Sequence, residues 1–482
     1  MQRSPWILPT LMLGTFMASL DSSIVNVSLP TMRNQFHSGM DDIQWVVTAY
    51  MLGFCIFMPL TNWLKDRIGF FHLYVGALLI FITGSLMCGF SRNLEFLVAS
   101  RVVQSLGGGA INPTVLSIMS NIYPKNERGK AISWWGIGAL LGPALGPTVG
   151  GALTQQFGWP SIFFVNVPVC ACAVVFSFLF LRFLRGAPTK KTPFDATGFA
   201  TLTIFLVGIQ YAIARLERAG AASVEVWGTA AAAIFSFILF IRTEKKKTLP
   251  LFNLKLFSQG TFVRTQLLTC VRAAALFGGL FLLPFLFQTM LGYSELQSGL
   301  LLLPGSAVTA IVTPFAGRWS DRHGSRNILL AAITLVSASM FAFSLVAPGA
   351  SYAMLTVIVM VRGLGFGMLM TPLTTAMVNS VDTRDVTEAS SINSLVQQLS
   401  GSLGIAVLAI VHQDMVKRTQ GLVPTASEHL ALQRGFWVSA FLVALAFIPA
   451  WGLPVRQPEP PAGHLPMPEQ HVGHLPMPEQ HV

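Results

Sequence analysis

Long apolar runs separated by short polar segments follow one another along almost the whole chain. A helix needs about 20 mostly apolar residues to cross a bilayer, and fourteen runs reach about that length. They cover residues 6–29, 43–64, 72–91, 94–119, 129–154, 161–183, 196–215, 225–242, 265–288, 298–318, 327–347, 352–379, 389–411 and 434–454. The pattern therefore predicts an all-α polytopic membrane protein with 14 transmembrane helices.

Composition and charge agree with this pattern and indicate an orientation. Of the 482 residues, 53% are hydrophobic and 11% are charged, whereas soluble domains carry about 25% charged residues. If the N-terminus is cytoplasmic, the inside segments hold 21 of the 31 Lys and Arg residues and the outside segments hold 7. Cytoplasmic loops carry the basic excess in membrane proteins, so we expect both termini in the cytoplasm. Topology and anionic lipids then explain the net charge of +11, and we expect no nucleic-acid partner.

The two halves of the chain carry similar motifs. L-K-D-R-I-G at 64–69 matches W-S-D-R-H-G at 319–324, and an arginine precedes a glycine-rich run in each half, at Arg101 and Arg362. Many transporters build two halves around a midplane site by such repetition. We predict an N-terminal six-helix bundle (1–190), an inserted helix pair (191–245), a basic cytoplasmic linker (246–262), a C-terminal six-helix bundle (263–456) and a disordered tail with a tandem ten-residue repeat (457–482).

One acidic residue, Asp21, lies deep in a predicted span. A carboxylate at the bilayer centre costs about 2.5–3.5 kcal/mol on insertion scales, so such groups usually mark a pathway. Burial favours the neutral acid and a nearby cation such as Arg101 favours the ion, so the group can bind and release a proton. The alternative is a structural acid that is hydrogen-bonded to a neighbouring helix.

Glycines and prolines crowd residues 136–151 without interrupting the apolar run. Gly142, Gly146 and Gly150 lie four apart and share one helix face, with Pro143 and Pro147 beside them and Gly151 following. A second helix can pack closely against such a face, and prolines bend a helix. The run predicts either a tight helix contact or a pliable joint between moving parts.

Further polar and aromatic residues in the spans are candidates for substrate contacts. Arg272 and Arg362, with Arg101, place three arginines against one acid, which indicates anionic or neutral amphipathic substrates unless these arginines are locked structurally. Neutral polar contacts and aromatic walls are expected from Asn26, Gln288, Asn393, Gln397, Tyr50, Phe281 and Phe285. Each of these is also compatible with helix packing. The cysteines Cys170 and Cys172 point to different sides of a helix, so we expect no metal site.

Several of these stretches resemble motifs of the fourteen-helix drug:proton antiporters of the major facilitator superfamily. G-P-x-L-G-P-x-x-G-G at 142–151 resembles their fifth-helix antiporter motif, and S-L-D-S-S-I-V-N-V-S-L-P resembles their helix-one signature. R-V-V-Q at 101–104 resembles their fourth-helix motif, and both loop repeats resemble their cytoplasmic gate. The chain departs from the patterns at Ser23, Ser28, Asn62, Phe70, Phe71 and Ser105.

The resemblance implies a major facilitator fold of two six-helix bundles plus two inserted helices. It implies proton-coupled export of amphipathic drugs or other small organic compounds across the bacterial inner membrane by alternating access. It also implies no cofactor besides the proton gradient, a monomer as the working unit, and an occasional periplasmic adaptor and outer-membrane duct. It assigns proton coupling to Asp21 and Arg101, and gating to Asp66, Arg67, Gly69, Asp321, Arg322 and the residues of the antiporter motif.

Two alternatives stay open. Within transport, the chain is a dedicated exporter of a native metabolite such as an amino acid, a siderophore or a lipid-like anion. Outside transport, it is a membrane sensor that binds without moving its ligand. The sequence has no H-E-x-x-H, G-x-S-x-G or phosphate loop, so we predict that it is not an enzyme.

Overall fold

A computed structural model describes residues 4–453 apart from 124, 187–192, 220–222, 248–250, 253, 383–384 and 420–422. The described residues form helices and contain no strand. The side chain of Asp321, part of the predicted linker and the predicted tail over 457–482 lie outside this description. The α-helices are α1 (Ile7–Phe36), α2 (Met40–Ile43), α3 (Trp45–Phe57), α4 (Leu60–Gly89), α5 (Leu94–Ile122), α6 (Lys125–Phe157), α7 (Ser161–Phe164), α8 (Asn166–Phe180), α9 (Ala196–Ala219), α10 (Val224–Glu244), α11 (Gly260–Phe285), α12 (Glu295–His323), α13 (Ser325–Ser344), α14 (Tyr352–Val378), α15 (Val386–Arg418), α16 (Pro424–Ala444) and α17 (Phe447–Trp451).

Eleven stretches of the described helices are long and apolar enough to cross a membrane. They are Ile7–Phe36, Trp63–Gly89, Ser161–Phe180, Ala196–Ile213, Val224–Glu244, Gly260–Met290, Glu295–Ser320, Ser325–Ser344, Tyr352–Val378, Glu388–Arg418 and Ala426–Trp451. Helices also lie at the other three predicted spans, but α3 has only 13 residues, and charged and glycine residues lower the hydropathy of α5 and α6. The protein is thus a multi-pass helical protein, and the predicted number of 14 spans is not confirmed.

The helices fall into two halves with a helix pair between them in sequence. We call α1–α8 the N-terminal half and α11–α17 the C-terminal half. Helices α9 and α10 pack on each other through Phe205 and Phe237, whose ring centroids lie 4.5 Å apart. Leu206 of this pair shares an apolar cluster with Cys55 of α3 and Ile392 of α15. The inserted pair therefore lies against both halves.

Charged groups join the two ends of the inserted pair. The Lys247 ammonium contacts the carboxylate of Asp195 and lies 3.3 Å from Glu244 Oε1. Burial opposes ionisation of Asp195, but hydrogen bonds from Lys247 and from the Gly198 amide outweigh it, so the pKa of this carboxyl lies below its usual value. This ion pair is present at neutral pH and is lost as the pH falls through the lowered pKa of Asp195.

The two repeated loops share a backbone conformation that only glycine adopts easily. Gly69 has φ 79° and ψ 164°, and Gly324 has φ 83° and ψ 160°. The segment 65–71, which lies between the second and third predicted spans, is helical on both sides of Gly69, and the break is confined to that residue. The sequence repeat is therefore a repeat of backbone geometry, with one glycine turning the chain in each half.

We expect Gly69→Ala to lower the free energy of unfolding by about 1–3 kcal/mol, because alanine is strained in that backbone region. A methyl group there meets no atom within 4 Å, so the loss would come from the backbone alone. Gly76→Ala on the same helix, also in open space, is the matched control and is expected to be neutral or slightly stabilising. Thermal unfolding of both variants in one detergent measures the difference, and equal midpoints would contradict this account.

Candidate functional site

Five polar side chains from four helices meet inside the N-terminal half. They are Asp21 of α1, Ser85 of α4, Arg101 and Gln104 of α5, and Asn166 of α8, and we call them the polar core. None is more than 1% exposed. A charged pair this far from water requires full hydrogen bonding, because an unpaired buried charge is very costly.

Arg101 is held by three acceptors and an aromatic ring. Its Nη1 donates to Asp21 Oδ2 at 2.6 Å and to Gln104 Oε1 at 2.5 Å, and its Nε donates to the Val46 carbonyl at 2.9 Å. The guanidinium carbon lies 4.2 Å from the centroid of the Tyr50 ring, a cation–π contact. The predicted pairing of Asp21 with Arg101 is thus present in the structure.

The second oxygen of Asp21 is bound by two amides. Gln104 Nε2 donates to Asp21 Oδ1 at 2.9 Å, and Asn166 Nδ2 donates to the same atom at 2.8 Å. Both amides also donate to Ser85 Oγ, at 2.8 and 3.2 Å. Oδ1 thus accepts two hydrogen bonds and Oδ2 accepts one, which leaves a lone pair on Oδ2 where a proton can bind.

Sequence reasoning found only part of this core. Gln104 belongs to the R-V-V-Q motif, but the sequence predicts no role for it, and it predicts none for Ser85 and Asn166. The sequence signal that could have identified Ser85 and Asn166 is that each is a single polar residue within an apolar helix. Tyr50, expected as a cavity wall, instead covers Arg101, and its hydroxyl is buried without a hydrogen-bond partner.

The glycine face of α6 packs against α1 on both sides of Asp21. A methyl group added to Gly142 would lie 2.6 Å from the Leu20 amide nitrogen, and one added to Gly150 would lie 2.6 Å from the Ile24 carbonyl oxygen. Gly146 likewise leaves no room beside Ser23. The run with Pro143 and Pro147 continues as one helix. The predicted close contact is present, and it holds the helix that carries Asp21.

Another side of α6 faces α12 of the C-terminal half. A methyl group on Gly299 would reach the Pro147 carbonyl, and one on Gly151 would reach the Glu295 carbonyl. Thr148 Oγ1 donates to the Gly299 carbonyl at 3.2 Å. Helix α6 thus contacts α1 within its own half and α12 across the boundary between the halves.

Two arginines of the C-terminal half lie among neutral groups. Arg272 Nη2 donates to Gln397 Oε1 at 2.7 Å, and Arg362 Nη2 donates to the Leu276 carbonyl at 3.2 Å. They are 8% and 6% exposed, and the Nε of each is buried without a hydrogen-bond partner. Asn393 of the predicted set lies near this group and accepts a hydrogen bond from Thr269.

The other predicted substrate residues occupy packed positions. Gln288 lies in a π-helical turn, Leu286–Met290, and donates to the Val27 carbonyl of the other half at 2.7 Å. Phe281 and Phe285 are completely buried, with ring centroids 5.4 Å apart. Asn26 donates to backbone carbonyls of its own helix. Two of these residues join the halves directly: Gln288 through this hydrogen bond, and Phe285 through the Arg33 guanidinium over its ring.

Because successive helices alternate in direction, the loop repeats mark one end of the molecule. We call this the motif end (64–69 and 319–324) and the opposite one the far end (31–41 and 412–428). At the motif end Asp66 lies 3.8 Å from Lys65, and Arg67 lies over the Trp63 ring. Both contacts are local, and the carboxylate of Asp66 does not bridge the halves among the ion pairs of the described residues.

At the far end the halves are joined by polar contacts. Arg33 Nη1 lies 3.1 Å from Glu428 Oε1, and Thr31 Oγ1 donates to Glu295 Oε1 at 2.9 Å. The structure therefore holds the halves together at this end. Of the five thiols, those of Cys55, Cys88 and Cys170 are buried, that of Cys270 is half-buried and that of Cys172 is exposed.

These features define a multi-pass helical membrane protein built from two halves with a charged core. The Major Facilitator Superfamily matches the chain over residues 11–405. The chain therefore belongs to the Major Facilitator Superfamily of transporters, a class whose members are generally not enzymes.

Characterised relatives cover most of the chain. The Riboflavin transporter RibZ of Clostridioides difficile (strain 630) is 30% identical over 457 residues, 92% of this chain and 97% of its own length. The Multidrug resistance protein B homolog of Mycobacterium tuberculosis (strain ATCC 25618 / H37Rv) is 32% identical over 83% of this chain and 74% of its own. The Methylenomycin A resistance protein of Bacillus subtilis (strain 168) is 28% identical over 84% and 87%.

Solved structures share the fold at low sequence identity. A bacterial homolog of the human lysosomal transporter Spinster has a TM-score of 0.66 and 16% identity over 93% of this chain and 97% of its own. A D-xylose-proton symporter has a TM-score of 0.66 and 15% identity over 94% and 98%. These similarities confirm the major facilitator fold.

The ion pair of the polar core yields a double-mutant prediction. Asp21→Asn and Arg101→Gln are each expected to lower the free energy of unfolding by about 3–5 kcal/mol, because each leaves a buried charge unpaired. The double variant is expected to recover more than half of the summed loss, because its two amides can bond to each other.

Unfolding in mixed detergent micelles measures these free energies. The exposed pair of Asp414 and Arg418, 2.9 Å apart, is the control and is expected to show little coupling. Additive losses at Asp21 and Arg101 would mean that their contact contributes nothing.

Proposed function

We propose that this chain is a proton-coupled antiporter that exports amphipathic drugs or other small organic compounds by alternating access. The single observation that carries the proposal is the buried pair of Asp21 and Arg101 inside the polar core. Two of the relatives named above are drug-resistance proteins. On this proposal the chain has 14 spans, lies in the bacterial inner membrane with the motif end and both termini in the cytoplasm, and works as a monomer without a cofactor.

The coupling step is the transfer of one proton to Asp21. A proton that reaches the core from the far end binds a carboxylate oxygen and removes its charge, so the attraction of Arg101 falls. Arg101 keeps the Val46 carbonyl and Gln104 as hydrogen-bond acceptors but is left without a counter-ion. The pair thus has two arrangements that differ by one proton, which is what a two-state transporter requires.

Helix α6 supports transmission of this change to the C-terminal half. It packs against α1 beside Asp21 and against α12 through Pro147 and Gly299. A shift of α1 therefore acts on the surface between the halves. Moving one charge across 100 mV is worth about 2.3 kcal/mol, enough to drive substrate uphill.

Asp21→Asn is expected to abolish proton-driven efflux, because asparagine fills the same space but cannot take up a proton. Fluorescent dye transport into inside-out vesicles, energised by a pH gradient, measures the flux. Glu225→Gln, at an exposed carboxylate paired with Arg215, is the matched control and should transport normally. Full flux in the Asp21 variant would exclude Asp21 as the coupling group, and ligand binding without flux in the parent protein would favour a sensor.

The two arginines of the C-terminal half support anionic or neutral amphipathic substrates. The buried Nε groups of Arg272 and Arg362 are free donors for an acceptor group of a ligand. The relative named as a riboflavin transporter favours the second candidate function, dedicated export of a native metabolite.

We expect Arg272→Gln to reduce transport of anionic dyes about tenfold, since a charge-assisted hydrogen bond is worth roughly 1.5–3 kcal/mol, and to leave cationic dyes unaffected. Vesicle uptake of an anionic, a neutral and a cationic dye series measures the effect. Arg264→Gln, on the same helix but bonded to the Gly452 carbonyl, is the control. Equal losses for all three series would indicate a structural arginine.

A further inference from the structure

A second charged cluster lies at the far end, remote from the polar core in sequence. Glu428 of α16 accepts from Arg33 Nη1 on Oε1 at 3.1 Å, and its Oε2 lies 2.9 Å from His412 Nε2 of α15. Arg33 belongs to the N-terminal half, whereas His412 and Glu428 belong to the C-terminal half. The Glu428 carboxylate thus contacts His412 in its own half and Arg33 in the other half.

His412 is a buried histidine with an unused nitrogen. It is 1% exposed, and its Nδ1 has no hydrogen-bond partner. Histidine is the side chain whose charge ordinarily changes between about pH 5 and 8. The imidazole can therefore be neutral, donating from Nε2 to Glu428, or become a cation by binding a proton on Nδ1.

A cavity borders this cluster and offers a route for water. Its volume is about 490 Å³, and a water molecule occupies about 30 Å³ of liquid. It is lined by Arg33, Asn34, His37, Ser38, Gly39, Met40, His412, Gln413, Val416 and Glu428. Water in this space can deliver a proton to His412.

We propose that His412 and Glu428 form a second proton-binding site, and that protonation of His412 releases Arg33 and opens the far end. In the closed arrangement a protonated His412 is attracted by Glu428 but repelled by Arg33. In an open arrangement Arg33 has left, and only the attraction remains. The open state therefore binds the proton more tightly, and by linkage the proton favours that state.

Several other charged or titratable groups near His412 have partners of their own. On α15, Asp414 and Arg418 are paired with each other, and on α16 His429 contacts the Val346 carbonyl. Arg33 also lies over the Phe285 ring of the C-terminal half, a contact that does not change with pH. Further titratable groups near this end are His37, Asp41, Asp42, Glu295, Lys417 and Arg434.

The test measures the opening of the far end without any substrate. Spin labels replace two exposed residues, Phe90 in the N-terminal half and Leu345 in the C-terminal half, after replacement of the five native cysteines. Pulsed electron resonance then gives the label distances in lipid nanodiscs at pH 8 and pH 6. We expect the ratio of open to closed molecules to rise about fivefold or more at pH 6.

Variants separate this site from the polar core. His412→Gln keeps a donor for Glu428 but binds no proton, so its ratio should not respond to pH. Glu428→Gln should be open at both pH values, which provides a second test if the first variant folds poorly. His429→Gln is the matched control and should respond like the parent.

The same measurement in an Asp21→Asn background decides between the two proton sites. A retained response there, lost on adding His412→Gln, supports the proposal. A response that survives His412→Gln, or that vanishes with Asp21→Asn alone, overturns it. Because the readout is a distance, a failure of the proposed antiport function would leave this result interpretable.

Discussion

The burial of one ion pair away from water constrains the rest of the N-terminal half. Asp21 and Arg101 are both essentially inaccessible, so their charges must find partners inside the protein. Helices α4 and α8 supply the missing partners through Ser85 and Asn166. The arrangement of the three helices α4, α5 and α8 around α1 follows from this need, because apolar packing alone would not fix their rotation. The same low dielectric makes the loss of one charge a large change, which suits a group that couples by gaining a proton.

Close backbone contact lets this core act beyond its own half. In lipid, helices associate through close packing and not through the hydrophobic effect, so small residues decide where they meet. Gly142 and Gly150 bring α6 onto α1, and Gly299 brings α12 onto α6. A shift of α1 by a fraction of a helical turn cannot be absorbed by flexible side chains at these contacts. The two glycine contacts therefore form a continuous connection from Asp21 to the C-terminal half.

The glycine contact and the repeated loops could be predicted from the sequence, because each depends on residues at short, regular spacing. The pairing of Asp21 with Arg101, which lie 80 residues apart, could be predicted because Asp21 is the one acid deep in a predicted span and the family resemblance names both residues. Gly69 and Gly324 even share one backbone conformation. The roles of Ser85 and Asn166 could not be predicted, because a single polar residue in an apolar helix does not reveal which neighbour it faces. The helical course through 65–71 could not be predicted either, because charged residues indicate a loop, yet helix ends at a membrane surface tolerate them. The span count depends on hydropathy, and α5 falls short because its polar residues serve the core.

The positions of the polar core and of Arg272 and Arg362 favour separate binding sites for the coupling proton and the substrate. The polar core lies wholly within the N-terminal half, whereas Arg272 and Arg362 lie in the C-terminal half. A proton and an anionic ligand would therefore not compete for one residue, and coupling between them must pass through the boundary. Gln288 supplies a polar contact there, in a π-helical turn that binds the Val27 carbonyl six residues beyond Asp21. Such turns are frequent at functional sites because they leave backbone groups free to change partner. A movement of α1 that follows protonation would thus reach α11, the helix that carries Arg272, by a route separate from α6.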